Sequence, residues 1–293
     1  MNTSNQKFQL YRAVLLLGLP SLIGFILFHY WPILETFRIS LNRYNSFTGD
    51  MTWVGLKHYA TAAEDPLLRL TLFTSLKYFF LKVPVQMALA FALALFVSRP
   101  GKGIGVVRTL ILLPTITSFV VASVLWGMMY HPNIGLFNSV LEVIGIGPQP
   151  FLRSADQALP AVVVITIWKE VGLSMLFFMA GLLAIPPEYY DAANVDGANS
   201  WQLTRHITIP LLRNTTAFVL VTSTIHAFKV FVPIKVLTDG GPSNATRVIL
   251  LYIFQLAFKF TRMDYASTVS AILAVILLII SIIQMRVSRE QTT

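Results

Sequence analysis

Pro186-Pro187-Glu188-Tyr189-Tyr190-Asp191-Ala192-Ala193-Asn194-Val195-Asp196-Gly197-Ala198 is a charged, glycine-broken stretch set between two long apolar runs, 160–185 and 215–237. Continued to Pro210 and position 212, it is far longer than a chain needs simply to turn around. It reads as helix, break, helix. Pro187 suits a first helical position, where its missing N–H costs nothing. Glu188 and Asp191 fall in the first turns, where the helix dipole favours acids. Ala192 and Ala193 are small and favour helix, and Gly197 stands where a left-handed C-cap ends one. A second short helix, about Ser200 to His206, leads to Pro210 and the next apolar run. Two adjacent alanines let another surface approach the backbone closely, and Asp191 just before them is placed to meet a basic group. This is the geometry of a helix laid into a partner's groove. An amphipathic connector on lipid headgroups, with Arg205 and Arg213 touching phosphate, fits the same residues. The residues alone leave both readings open.

Outward from that segment, the rest of the chain is lipid-like. Of 293 residues, 55% are hydrophobic and 12% charged, and mean hydropathy is +0.68. A soluble domain carries roughly 25% charged residues, so lipid is the expected main solvent. There is no cysteine, which excludes disulfides, thiolate metal sites and cysteine nucleophiles. The net charge of +9 is explained by anionic headgroups and topology bias, with no need of nucleic acid. Residues 1–12 are polar, with Lys7 and Arg12, and precede an apolar run longer than a signal-peptide core and without a small-x-small cleavage pattern. A retained first span is expected.

Six stretches are long enough to cross a bilayer: 13–34, 72–97, 109–130, 160–185, 215–237 and 266–285. The second holds Lys77 and Lys82, the third Pro114, the fourth Lys169 and Glu170, and the fifth His226, Lys229 and Lys235. The runs are continuous and too long for barrel alternation. The expectation is one all-α membrane domain over 1–293, with six transmembrane helices and 186–212 as a cytoplasmic loop. With the N-terminus inside, the short inner segments hold Lys7, Arg12, Arg99, Lys102, Arg108, Arg205, Arg213, Arg286 and Arg289. The longer outer segments hold Arg38, Arg43, Lys57, Arg69, Arg153, Arg247, Lys259 and Arg262. The higher inner density of basic residues favours N-in, C-in. Ile249 to Phe258 is apolar but too short to span, as in a re-entrant or interfacial helix.

No G-x-x-x-x-G-K-[ST] or H-E-x-x-H occurs, and Gly101-Lys102-Gly103-Ile104-Gly105 follows no strand, so it reads as a turn. Asn244-Ala245-Thr246 matches a glycosylation triplet and carries little weight. Polar groups at membrane depth are functional candidates by default: Trp168, Lys169, Glu170 and Ser174, then Thr222, Ser223, Thr224, His226 and Lys229. Lys169 and Glu170 are neighbours, about 100° apart around a helix, so each must find another partner or snorkel. Serines and threonines also back-bond to their own helix, and His226 fits a structural hydrogen bond equally well. Lys77, Lys82, Lys229 and Lys235 are expected to snorkel outward, Lys77 and Lys82 alternatively to pair with acids in outer loops.

The run Ile185-Pro186, Asp191-Ala192-Ala193, Asp196-Gly197-Ala198, Ile207 and Ile209-Pro210 resembles the EAA loop of binding-protein-dependent ABC importer permeases. The carbohydrate-type branch, with the maltose and glycerol-phosphate permeases, is the most similar. Trp53-Val54-Gly55-Leu56 with Tyr59, Arg108 through Leu113-Pro114, Trp168 to Gly172 with Ala180-Gly181-Leu182, and Leu237 to Pro242 with Thr246 follow the same family's pattern in order. Asp191 stands where that family usually has Glu, which keeps the charge and shortens its reach by a methylene.

The resemblance implies a type I importer permease fold in a bacterial inner membrane and a subunit with no catalytic site. Two permease subunits, as a heterodimer with a related second chain, form the pathway. Two separate ATPase subunits bind ATP and Mg, and an extracytoplasmic binding protein delivers a sugar-like solute. Glu188, Asp191, Ala192, Ala193, Asp196 and Gly197 are then the ATPase-coupling element. Trp168, Lys169, Glu170, Ser174, Ser223, His226 and Lys229 become solute-path candidates, since aromatic faces with hydroxyl and amide groups suit a polyhydroxylated solute. Lys169, His226 and Lys229 would tolerate an anionic group on it. Gly240, Gly241 and Pro242 become candidate contacts for the binding protein. An ion-coupled secondary transporter is the competing class and predicts more spans or a repeat. An intramembrane enzyme would require a nucleophile or acid pair at bilayer depth, which these residues do not assemble.

Overall fold

A computed structural model of the chain describes residues 17–99 and 101–290, predominantly helical, in two compact units. Positions 13–16 of the expected first span, Lys7, Arg12 and the side chain of Arg289 lie outside the described residues.

One unit takes in residues up to 65 together with 253–275. Helix α1 (Leu17–Ser40) is long and apolar enough to span, and none of its apolar window is buried. A short antiparallel hairpin follows, β1 (Asn42–Tyr44) and β2 (Met51–Trp53), with Asn42 opposite Trp53. No strand was expected here. The turn signals that close the hairpin are Asn45, whose Oδ1 accepts from the Phe47 N–H at 3.0 Å, and Gly49 with φ +77°. Helix α2 (Lys57–Glu64) is tied into the unit by polar contacts. Buried Ser40 shares a hydrogen bond with the Tyr59 hydroxyl (2.8 Å) and its carbonyl accepts from Thr268 Oγ1 (3.2 Å). Tyr265 donates to Asp65 Oδ2 at 2.7 Å.

The other unit comprises 66–252 and the chain from 276 onward. Helix α3 (Pro66–Val97) starts earlier than the expected 72, with Pro66 at its first position, and has 32 residues. At 1.5 Å per residue it is about 48 Å long, so it outruns a hydrocarbon core of roughly 30 Å. The expected third span, 109–130, is two helices, α4 (Ile104–Ile116) and α5 (Phe119–Met129), bent by 100°. Pro114 lies within α4; the break falls later, where Thr117 and Ser118 are extended, with ψ of 156° and 137°. Thr117 Oγ1 donates to the Pro114 carbonyl (2.7 Å), and Ser118 Oγ caps α5 by accepting from the Val120 N–H (3.3 Å). Helix α6 (Leu136–Val143) is short, and α7 (Ala158–Leu183) is a full span. After the polar segment come α10 (Arg213–Phe228) and α11 (Val232–Leu237), which share the fifth apolar stretch and are separated near Val230, with Pro233 in the first turn of α11. Helix α12 (Ile249–Phe254) has Ile249 and Leu251 fully buried, and the Ile249 N–H donates to Ser75 Oγ (2.9 Å). Protein packing thus accounts for its apolar sequence. The last helix, α13, is Met263–Glu290.

The heart of this unit is α3 against α7. Tyr78 donates to Thr166 (2.8 Å), Lys82 to Glu170 (2.5 Å) and Gln86 to Ser174 (2.9 Å). A step of four on both helices places the three rungs on successive turns of one face of each, so the helices run parallel in strict register. Beyond the ladder, Ala90 and Ala94 are fully buried beside Met175 and Phe178. Small side chains there let the backbones approach, as packing between helices in lipid requires.

Candidate functional site

The polar segment folds as a capped helix with one bare face. Helix α8 (Glu188–Val195) begins just after Pro187, with Glu188 and Asp191 in its first turn. Gly197 has φ +80°. The Ala198 N–H donates to the Ala193 carbonyl (2.9 Å) and the Gly197 N–H to that of Asn194 (3.1 Å). This pair of bonds is a Schellman cap and requires a left-handed residue at 197. Tyr190 is half-buried and shares a hydrogen bond with buried Thr208 at 3.1 Å. Glu188, Asp191, Ala192 and Asp196 are exposed, Ala193 is half-buried, and Val195 is 89% exposed. Helix α9 (Ser200–Leu203) opens on a capping box, Asn199 with Gln202. It runs on through a π turn, Thr204–Thr208. A shallow hollow of about 320 Å³ between Ala193, Gly197, Gln202 and His206 separates the two pieces.

A cavity of about 470 Å³ gathers five of the solute-path candidates: Lys169, Glu170, Ser174, Ser223 and His226. Trp168 is outside it and lies against Trp126, with ring centroids 5.4 Å apart. Lys229 is outside as well, exposed at the C-cap of α10. The cavity wall also includes Gln86, Thr115, Thr117, Phe119, Phe177 and Thr222, which the sequence reading did not select for it, Thr222 excepted as a general candidate. The charges in it are committed. Lys82, 1% exposed, pairs with Glu170, which corrects the expectation that it snorkels or meets an outer-loop acid. Lys169 Nζ donates to the carbonyls of Pro114 (3.0 Å), Thr115 (3.3 Å) and Thr117 (2.5 Å). Among the described residues, Gln86 Oε1 is buried without a hydrogen-bond partner beside this space. Thr222 and Thr224 back-bond to Phe218 and Leu220, at 2.8 and 2.7 Å. Hydroxyl, amide and aromatic groups are therefore what the cavity presents. The spacing of Tyr78, Lys82 and Gln86 by four was the available signal for the missed α3 residues, a polar stripe in an apolar run.

The loop at 238–248 is folded back on itself. Asp239, Gly240, Ser243 and Asn244 all have positive φ, and Gly241-Pro242 is cis. Fully buried Thr246 shares a hydrogen bond with Thr238 (2.7 Å) and donates to the Gly241 carbonyl (2.8 Å). Lys235 pairs with Asp239 at 2.7 Å, so it too has a partner where snorkelling was expected. Gly240 is buried, Gly241 and Pro242 are half-buried, and Ser243 is the exposed tip.

The pattern of binding-protein-dependent transport system inner membrane components matches residues 71–289. The trehalose/maltose transport system permease protein MalF of Thermococcus litoralis is 33% identical over 290 residues, 98% of this chain and 97% of that protein. The sn-glycerol-3-phosphate transport system permease protein UgpA of Agrobacterium fabrum is 32% identical over 272 residues, 92% of each chain. A crystal structure of a bacterial ABC transporter involved in import of the acidic polysaccharide alginate superposes with a TM-score of 0.85 at 27% identity, covering 99% of this chain and 98% of that one. A capped helix between membrane spans, a polar cavity among them and these matches along nearly the whole length agree: the chain belongs to the inner-membrane components of binding-protein-dependent transport systems, the non-catalytic, multi-pass permease subunits of ABC importers.

Proposed function

We propose that this permease moves a sugar or sugar-like solute, handed over by an extracytoplasmic binding protein, across the inner membrane in an N-in, C-in arrangement. It pairs with a homologous second permease as a heterodimer, and two ATPase subunits that bind ATP and Mg drive it. The transported class follows from the relatives, a trehalose/maltose permease and a glycerol-phosphate permease. The solved relative in complex with an alginate pentasaccharide-bound periplasmic protein supports a binding-protein partner. Gly240, Gly241 and Pro242 would stand near that contact, with the Ser243 tip foremost.

The observation that carries the reading is the bare face of α8, with Val195 89% exposed on a helix whose end is rigidly capped. An apolar side chain there, flanked by Glu188, Asp191 and Asp196, suits a groove on another protein better than water. In this reading the ATPases close on ATP and carry α8 with them. Tyr190 passes the displacement to the body of the permease, and the pathway changes the side to which it opens. ATP can drive the change only through differential affinity for the two states. The ion-coupled alternative gains no support from membership in this family.

The chain has no cysteine, so V195C supplies a unique thiol. In the reconstituted complex it should cross-link to an ATPase subunit, and ATPase activity should rise with one solute of a sugar panel in the presence of the binding protein. A thiol at 195 that reacts only with water-soluble or lipid reagents would refute the assignment.

A further inference from the structure

We propose that Lys169 is a positioning residue: it holds the α4–α5 elbow that forms one wall of the cavity and does not itself bind the solute. The proposal rests on the cavity being the solute path. A 100° break ends α4 and leaves carbonyls at the elbow without the i+4 N–H donors of a continued helix, which lipid cannot replace; that of Pro114 is met locally by the Thr117 N–H (3.2 Å) and Oγ1 (2.7 Å). The Lys169 side chain, 4% exposed, reaches across from α7 to the elbow carbonyls. An ammonium has three N–H donors and no acceptor, and the carbonyls of Pro114, Thr115 and Thr117 use all three. The positive charge sits at the C-terminal end of α4, the negative pole of its dipole. The ring of Phe119, the first residue of α5, covers it at 4.7 Å. Thr115 Oγ1 returns a hydrogen bond to the Lys169 carbonyl (3.1 Å). One turn on, Gly172 lies so close that a Cβ there would be 2.5 Å from the Ile111 carbonyl oxygen. Helix α7 is therefore fastened to the elbow from both sides, and Thr115, Thr117 and Phe119 face the cavity because of it. No N–H of Lys169 is left for a solute, and Glu170 is taken by Lys82. The cavity's lysine and its carboxylate are therefore both engaged, and its hydroxyl and amide groups, with His226, are what a solute meets.

The test exploits the absence of native cysteine. Spin labels at L110C on α4 and V121C on α5, both at exposed positions, report the elbow in the full reconstituted transporter. K169M should broaden or shift the label distance and lower uptake roughly tenfold or more, since hydrogen bonds from a charged group are lost. K169R should restore both. T115V, a milder change, should broaden the distance slightly with a smaller loss of uptake, and it keeps the question answerable if K169M does not fold. Loss of uptake in K169M with an unchanged distance would mean that Lys169 touches the solute, and would overturn the proposal. An unchanged distance with normal uptake would overturn it equally. Failure of the underlying reading looks different: F177A and S223A on the cavity wall would leave solute KM unaltered while K169M still shifts the elbow.

Discussion

Replacing Gly197 separates two ways in which a side chain can harm the polar segment at 186–212. An added Cβ at Gly197 meets nothing within 4 Å, so bulk is not the obstacle. The obstacle is handedness: φ is +80°, and the Schellman bonds of Ala198 and Gly197 to Ala193 and Asn194 hold it there. A left-handed backbone costs an L-residue about 1–2 kcal/mol, and asparagine much less. One to two kcal/mol lowers the population of a conformation by a factor of roughly 5–30. A ligand or partner that needs the capped form sees its apparent affinity fall by up to the same factor. Binding-protein-stimulated ATPase activity of the reconstituted complex should therefore rank parent, then G197N, then G197A, then G197V, at equal amounts in the membrane. Asparagine should outperform alanine although it is larger. Alanine matching the parent while asparagine fails would show that volume, not φ, governs the site, and the reasoning from the cap would be wrong.

Two further substitutions test the interior. E170Q removes the charge that balances Lys82, which is 1% exposed, and should destabilise by about 3–5 kcal/mol. The double variant K82M/E170M should recover most of the loss in apparent melting temperature, and a single variant that melts like the parent would show that Lys82 is compensated elsewhere. G172A places a methyl group 2.5 Å from the Ile111 carbonyl and should cost about 1–3 kcal/mol through overpacking, read in detergent by thermal unfolding. G105A, with nothing within 4 Å, is the matched control and should be neutral or slightly stabilising.

The helix-break-helix form of the polar segment was the most legible part of the chain, because its signals are local. Proline, first-turn acids, paired alanines and a C-cap glycine lie within a dozen positions, and each acts on its own turn of helix. The apolar runs were legible for the same reason, since bilayer thickness is a length and composition shows it. The elbow at Thr117 and Ser118 was not, because Pro114 drew attention and the serine that starts α5 looks like any other hydroxyl. Lys82 was misjudged because snorkelling is a property of a single residue, whereas its partner Glu170 lies 88 positions away.

The residues by themselves determined that the chain lives in lipid, roughly which stretches are apolar enough to cross it, and that a capped helix interrupts them, since propensity, capping and hydropathy operate over neighbouring positions. Only the tertiary structure decided which polar groups meet. The ladder of Tyr78, Lys82 and Gln86 with Thr166, Glu170 and Ser174, and the capture of three carbonyls by Lys169, depend on how two helices are rotated and slid against each other. Helical periodicity leaves both of those freedoms open until the helices pack.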